Sequence, residues 1–377
     1  MSKIQDPIGL CAVKGLENTI KLLETEGYSE GEIIKITSEY LDQKGFAGPM
    51  VIGIGSAKGG TGKSTVATNL VQAFGRLGLR SGLVDADIID PNDALRVYKD
   101  TKVLTSEDGL TVDFNHNGCV LDVVIGVKEK GQRSIKRKSL TEIGIPSIRR
   151  PHVTYFLSQQ LGDSQEGRGD KRQREKSLRE AEEILLREAR SLKDYQIIVL
   201  DFSAGTPEYL DAYIGCDGRG YVVDFTDHAS FAGIENIAKL VAKKQIDGNN
   251  FMIINKIPQV KRREEIRDRI NWISAGLDKI AVRLGMNEDQ NTRDARKLVS
   301  GHNAKLKELG LERLAFYPEP ALLALREDVR DSSNLGTSYL AWLTQKEERT
   351  NGYSNQMFRL AVNMMNLYLQ KNRGEVR

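Results

Sequence analysis

Cysteine is scarce in this chain. Cys11, Cys119 and Cys216 are the only three among 377 residues, they are scattered, and no CxxC pair occurs. That spacing excludes a disulfide framework and a zinc site, supplies no ligand set complete within one chain, and predicts buried, reduced thiols. Long apolar runs are also missing. The longest, such as Tyr195–Leu200, fall far short of the roughly 20 residues that a bilayer span requires. The opening stretch Met1–Pro7 is polar and has neither the charged region nor the apolar region of a secretory signal, so the expected location is the cytoplasm. Charge of one sign does not dominate: 55 Lys and Arg face 52 Asp and Glu, a net of +3, too little to imply a nucleic-acid partner. Internal repeats and low-complexity tracts are absent. What is present, 40% apolar and 28% charged residues, describes an ordinary soluble protein and excludes collagen-like, disordered and coiled-coil chains. The length allows two or three units, or one large α/β domain with additions.

Residues 1–47 read as helical. Apolar positions at Ile20, Leu22 and Leu23, and then at Ile33, Ile34, Ile36, Tyr40 and Leu41, are separated by a turn signal at Glu26–Ser29. Ser29 followed by Glu32 forms a possible capping box for the second helix. Such a pair of helices could be a DNA-reading helix-turn-helix or a helical hairpin with no such role.

From Pro49 onward, short β-rich apolar runs alternate with helical stretches, the pattern of a mostly parallel sheet covered on both faces. Strands are expected near 51–55, 82–85, 119–127, 153–157, 196–201, 221–225, 251–255 and 314–317. The expected architecture is a doubly wound α/β domain over 48–377 with an N-terminal helical extension at 1–47. Two charged insertions interrupt it, at about 126–150 and 163–193. The first is a basic block of Lys128, Lys130, Arg133, Lys136, Arg137, Lys138, Arg149 and Arg150, opposed only by Glu129 and Glu142. The second carries Leu178, Ala181, Ile184, Leu185 and Ala189 at helical spacing, which predicts a surface helix.

The informative segment runs from Met50 to Leu70. A buried strand leads into a loop holding Gly59, Gly60 and Gly62, and a helix is expected from about Lys63 to Leu77. Glycines suit a loop that wraps backbone N–H groups around phosphate oxygens, because side chains would obstruct those conformations. The helix N-terminus adds partial positive charge. In such a loop Thr61 and Thr65 flank the phosphates, Lys63 reaches the β- and γ-phosphates, and the Ser64 hydroxyl ligates Mg²⁺. Further on, Asp85 and Asp87 stand two apart at a strand end, so both leave the same face and suit a Mg²⁺ shell and a water-positioning carboxylate. Asp201 ends a second apolar strand and would hold Mg²⁺ through water.

The ordinary phosphate-loop pattern has glycine where this chain has Ala57. The stretch Lys58-Gly59-Gly60-Thr61-Gly62-Lys63-Ser64 instead fits the deviant form with an early lysine, and with it the chain resembles the ParA/MinD family of dimerising ATPases, which includes the flagellar-number regulators FlhG/FleN. The resemblance covers roughly 49–330 and is strongest over 51–93 and 196–206. It implies that Lys58 crosses a dimer interface to the partner's nucleotide, that Asp87 orients the attacking water, and that the Gly205 N–H meets the γ-phosphate. It also implies a strand ending in a base-reading asparagine, here Asn255, although a turn role before Pro258 is equally open. The stretch Phe316–Leu323 resembles the strand and loop that border the base.

The resemblance implies binding of ATP and Mg²⁺, homodimerisation on ATP, release on hydrolysis, and an activating partner protein, used to partition or position a cargo on DNA or membrane. Nonspecific DNA contacts would come from the basic block together with Lys261, Arg262, Arg263, Arg267 and Arg269, though the interleaved Glu264, Glu265 and Asp268 suit a solvated run. Membrane attachment is the lesser expectation. The stripe Met357, Leu360, Ala361, Met364, Leu367 and Tyr368 suits a helix packed on the sheet better than an anchor, because Arg359 is the only basic residue between Met357 and Gln370. The competing readings are a nucleotide-gated scaffold with little turnover, a metabolic ligase such as dethiobiotin synthetase, and an iron–sulfur carrier.

Overall fold

A computed structural model describes residues 4–44 except 5 and 15, 49–101 except 89, 90 and 92, 104–105, 112–113, 118–125, 137–158 except 151, 171–205, 210–225, 227, 230, 233, 249–258, 288–308, 316–317, 320–325, 327–334, 337–343 and 352–372. The strands are β1 (Met50–Ser56), β2 (Ser81–Asp85), β3 (Leu104–Thr105), β4 (Val112–Asp113), β5 (Ile145–Pro146), β6 (Val153–Phe156), β7 (Ile197–Ala204), β8 (Gly218–Asp224), β9 (Asn249–Pro258) and β10 (Ala321–Leu325). Those of β1, β2, β6, β7 and β8 are almost wholly buried, which is why they read as continuous apolar runs and not as alternating ones. The helices are α1 (Pro7–Lys14), α2 (Leu16–Thr25), α3 (Glu30–Gln43), α4 (Lys63–Arg76), α5 (Asp93–Val97), α6 (Val120–Val124), α7 (Leu140–Ile143), α8 (Lys171–Ser191), α9 (Leu210–Gly215), α10 (Glu288–Glu308), α11 (Glu327–Asn334), α12 (Tyr339–Trp342) and α13 (Gly352–Asn372).

Eight strands form one sheet in the order β10-β9-β8-β1-β7-β2-β6-β5. Every pairing in it is parallel except that of β5 with β6, so the doubly wound, mostly parallel α/β architecture expected from the sequence is what the chain adopts. The chain leaves the centre at β1, skips a place to β2 and β6, returns through β7 and then continues outward from the other side of β1. Ligand crevices in open sheets lie at the carboxyl ends of strands beside such a reversal.

One apolar cluster lies on the face covered by α4 and α13 and takes in Leu16, Ile20, Leu23, Ile33, Ile36 and Leu41 from α2 and α3. The other lies under α6, α8 and α9. The expected stripe on α13 is buried: Met357, Leu360, Ala361 and Met364 belong to the first cluster, with Leu367 and Tyr368 packed against it. The N-terminal helices meet the rest at the far end of α4. There the Glu24 carboxylate lies 3.9 Å from Arg76, and a Cβ at Gly78 would come within 3.0 Å of the Ile34 Cα. Ser29 does cap α3, with Glu32 accepting from the Ser29 N–H at 2.9 Å.

Two strand expectations fail. Residues 120–124 are helical, because Val120, Val123 and Val124 fall on one face and are buried while Ile125 is exposed. The Asp122 carboxylate accepts from the Cys119 N–H at 2.9 Å and starts that turn. Of the described residues of the expected strand at 314–317, Phe316 makes an isolated bridge to Asn250, and the edge strand forms at 321–325 beyond Pro318 and Pro320. Residues 126–136 and 163–170, parts of the two expected charged insertions, and the charged run 261–269 lie outside the described residues.

Candidate nucleotide site

The loop between β1 and α4 is bent by glycine. Gly60 and Gly62 have φ of 79° and 91°, the left-handed region that other residues avoid, and Gly62 is the N-cap of α4. A side chain at Gly62 is excluded twice over, since a Cβ there would lie 2.4 Å from Asn255 Nδ2. Ser56 Oγ donates to the Lys58 carbonyl at 2.8 Å and shapes the loop entry. The bend thus delivers the N-terminus of α4, with its partial positive charge, to the carboxyl edge of the sheet.

Around it the site collects acids. Asp85 ends β2 and Asp201 sits beside it in register on β7. Asp87 follows on the same edge, and its Oδ1 accepts from Ser203 Oγ at 3.0 Å. Asp85 and Asp201 are buried, and so is Asp93 at the start of α5. Neither oxygen of Asp85 or Asp93, nor Oδ1 of Asp201, has a hydrogen-bond partner in good geometry. Burial, and then repulsion from Asp201 and Asp87, pushes the Asp85 carboxyl well above the usual range; burial, and then repulsion from Asp201 and Asp85, does the same for Asp93 against the opposing charges of Arg96 and Lys63. Burial raises Asp201 as well, eased by the buried Lys63 ammonium and by the Ser64 hydroxyl lying against it. Three acids, Lys63 and Ser64 therefore share one poorly solvated pocket of field. Such orphaned carboxylate oxygens are costly unless a cation takes them.

Among the described residues no three His, Cys, Asp or Glu side chains converge into a closed metal cage. Ser64, Asp201 and Asp85 are the oxygen donors present.

Several expected residues have other partners in the structure. Lys58 Nζ, about half exposed, pairs with Asp227 of its own chain at 2.8 Å. The Gly205 N–H, at φ 88°, donates to the Ser56 carbonyl at 3.0 Å, so it must exchange that partner before it can meet a phosphate. Asn255 Nδ2 donates to the Thr61 carbonyl at 2.9 Å, which leaves its Oδ1 as the atom able to receive a base amine. Thr65 Oγ1 accepts from Arg96 at 3.1 Å.

The sequence reading missed Asp93, Arg96, Asp227 and the pair Asp224 and Lys256. Asp93 and Arg96 stand three apart on the short α5, a spacing that is unremarkable until the helix lies on the phosphate loop. Of the basic block, Arg149 donates to the Ala341 and Leu343 carbonyls. Buried Arg150 donates to Gln72 Oε1 at 2.8 Å, within a network in which Tyr155 and Ser147 both donate to Asp100 at 2.7 Å. These two arginines are structural. Cys11, Cys119 and Cys216 are all buried, as expected, and burial raises the Cys11 and Cys216 thiols. No helix among the described residues is long and apolar enough to cross a membrane.

Comparison with known proteins agrees with this geometry. Over 121 residues the chain is 30% identical to an iron-sulfur cluster carrier protein of Deinococcus radiodurans, a stretch covering 32% of this chain and spanning only 35% of that relative's length. The fold is similar to the cell division ATPase MinD of Pyrococcus furiosus, with a TM-score of 0.52 at 17% identity over 85% of this chain and all of the other. It is also similar to the septum site-determining protein MinD of Pyrococcus horikoshii complexed with Mg-ADP, with a TM-score of 0.51 at 17% identity over 83% and 95% of the two chains. Residues 52–298, more than half of the sequence, match the model of the CobQ/CobB/MinD/ParA nucleotide binding domain, and the chain belongs to that family.

Proposed function

We propose that this chain is an ATPase that binds ATP with Mg²⁺ on the 57–65 loop, pairs with a second copy while the γ-phosphate is in place, and separates after hydrolysis. The observation that carries the reading is the convergence on one sheet edge of a left-handed glycine bend, a buried lysine at a helix N-terminus, and buried carboxylates whose oxygens lack partners. Ser64, Asp201 and Asp85 would hold Mg²⁺, which when bound neutralises phosphate charge. Lys63 binds the β- and γ-phosphates. Asp87, oriented by Ser203, accepts a proton from or aligns the attacking water. Lys58 is exposed enough to exchange Asp227 for the phosphates held by a second copy. The γ-phosphate then contributes directly to dimer stability, and its loss releases the pair.

The role we favour is nucleotide-gated positioning of a cargo, with release prompted by an activating partner. Cluster carriage, the activity in the name of the Deinococcus relative, would need accessible thiolates. Here Cys11, Cys119 and Cys216 are buried and lie in separate segments. Neither α13, whose apolar stripe is buried, nor Arg149 and Arg150 is available to a membrane or to DNA. Of the described part of the basic block, that leaves the exposed Arg137 to contact phosphates.

Light scattering of the Asp87→Ala protein tests the reading. A dimer is expected with saturating Mg-ATP and a monomer without it; a monomer in both, with ATP binding shown by calorimetry, would sink the proposal.

A further inference from the structure

Two consecutive residues in the last half of β9 grip the phosphate loop from behind. Asn255 Nδ2 donates to the Thr61 carbonyl at 2.9 Å, and Lys256 Nζ donates to the Gly60 carbonyl at 2.5 Å. On the other side, the Lys256 ammonium is held at 2.7 Å by Asp224, the residue opposite Asn255 in the β8–β9 register. The Phe225 N–H closes the corner by donating to the Asn255 carbonyl at 2.9 Å.

Lys256 is also the one described non-glycine residue with positive φ, at 58°. In a regular strand neighbouring side chains point to opposite faces, so Asn255 and Lys256 could not reach the same loop. The left-handed conformation turns Lys256 back to where Asn255 already points. A backbone conformation that disfavours lysine is thereby tied to two contacts, one with the loop and one with Asp224.

The consequence follows from peptide geometry. In a trans peptide the C=O and the next N–H point in opposite directions. Drawing the Gly60 carbonyl toward Lys256 aims the Thr61 N–H away from β9. Drawing the Thr61 carbonyl toward Asn255 does the same for the Gly62 N–H. We propose that Lys256, braced by Asp224, is a positioning residue that presets the Thr61 and Gly62 N–H donors of the phosphate loop for a pyrophosphate-bearing nucleotide. The inference rests on the reading of 57–65 as a nucleotide site.

Calorimetry with Mg-ADP, alongside thermal unfolding, tests it. Lys256→Gly removes the ammonium and relieves the backbone, so Mg-ADP should bind about tenfold more weakly or worse, the scale of one charged hydrogen bond. The unfolding midpoint should be unchanged or raised. Lys256→Asn, also tolerant of the left-handed conformation, should show the same loss. Exchange of the Thr61 and Gly62 amides should quicken in both variants.

Binding within twofold of wild type in either variant overturns the proposal. So does recovery of wild-type affinity in Lys256→Gly with Asp224→Asn, which would reduce Lys256 to a neutraliser of Asp224. Failure of the wild-type protein itself to bind Mg-ADP would be a separate result, removing the nucleotide reading on which the inference rests.

Discussion

The Asp93 carboxyl lies wholly inside the protein beside Asp85, Asp201 and Lys63, with both oxygens unpartnered. At neutral pH the fold bears the cost of burying this group beside Asp85 and Asp201, a cost that the Arg96 and Lys63 charges offset only in part. Replacing it by asparagine removes the charge and keeps the shape. Asp93→Asn should therefore raise the stability of the nucleotide-free, metal-free protein, on the order of 1 kcal/mol, seen as a higher thermal midpoint. The sign with pH follows from the raised carboxyl. In wild type, ionisation in the unfolded chain above about pH 4 draws the equilibrium toward unfolding. The advantage of the variant should thus be largest at neutral pH, fade as pH falls, and vanish below about 4, where Asp93 is protonated in both states. Single residues were legible where backbone chemistry dictates residue type, as at Gly60, Gly62 and Lys63. They were not legible where significance comes from a neighbour distant in sequence, as for Asp93, whose surroundings arise from β2, β7 and α4.

At the scale of elements, the long helices and the buried strands follow from apolar periodicity, and the short ones do not. The run from Cys119 to Ile125 is too short for propensity to choose between strand and helix, and burial of one helical face together with the Asp122 cap decides it. The Ala321–Leu325 stretch has good helix formers yet pairs with β9, because an open sheet edge offers hydrogen bonds that local preference cannot match. Caps are local and were readable: Ser29 and Glu32 close the start of α3 as their spacing predicts. Ser29→Ala should cost about 1 kcal/mol of stability in a denaturant titration. Nucleotide affinity should not change, since α3 abuts the far end of α4 and the site lies at its N-terminus.

For the whole molecule, the central question is how one chain is kept from pairing until nucleotide is in place. The Lys58–Asp227 contact is partly exposed, so it contributes little, within about 0–1 kcal/mol. It nevertheless engages in cis the lysine that the proposed dimer needs in trans. Asp227→Asn should lower the ATP concentration at half-maximal dimerisation by about fivefold at most, measured by light scattering, while leaving Mg-ADP affinity of the monomer unchanged. The amino-acid sequence alone determined the phosphate loop, the long helices and buried strands around it and the family, because glycine conformations, apolar runs and the spacing of Lys58, Lys63 and Ser64 are properties of contiguous residues. Only the tertiary structure decided that Lys256 and Asn255 hold the loop from behind, that Arg149 and Arg150 are structural, and that Asp93 joins the acids. Each of these depends on which strand ends and helices become neighbours when the sheet assembles, and that is set by packing across the whole chain.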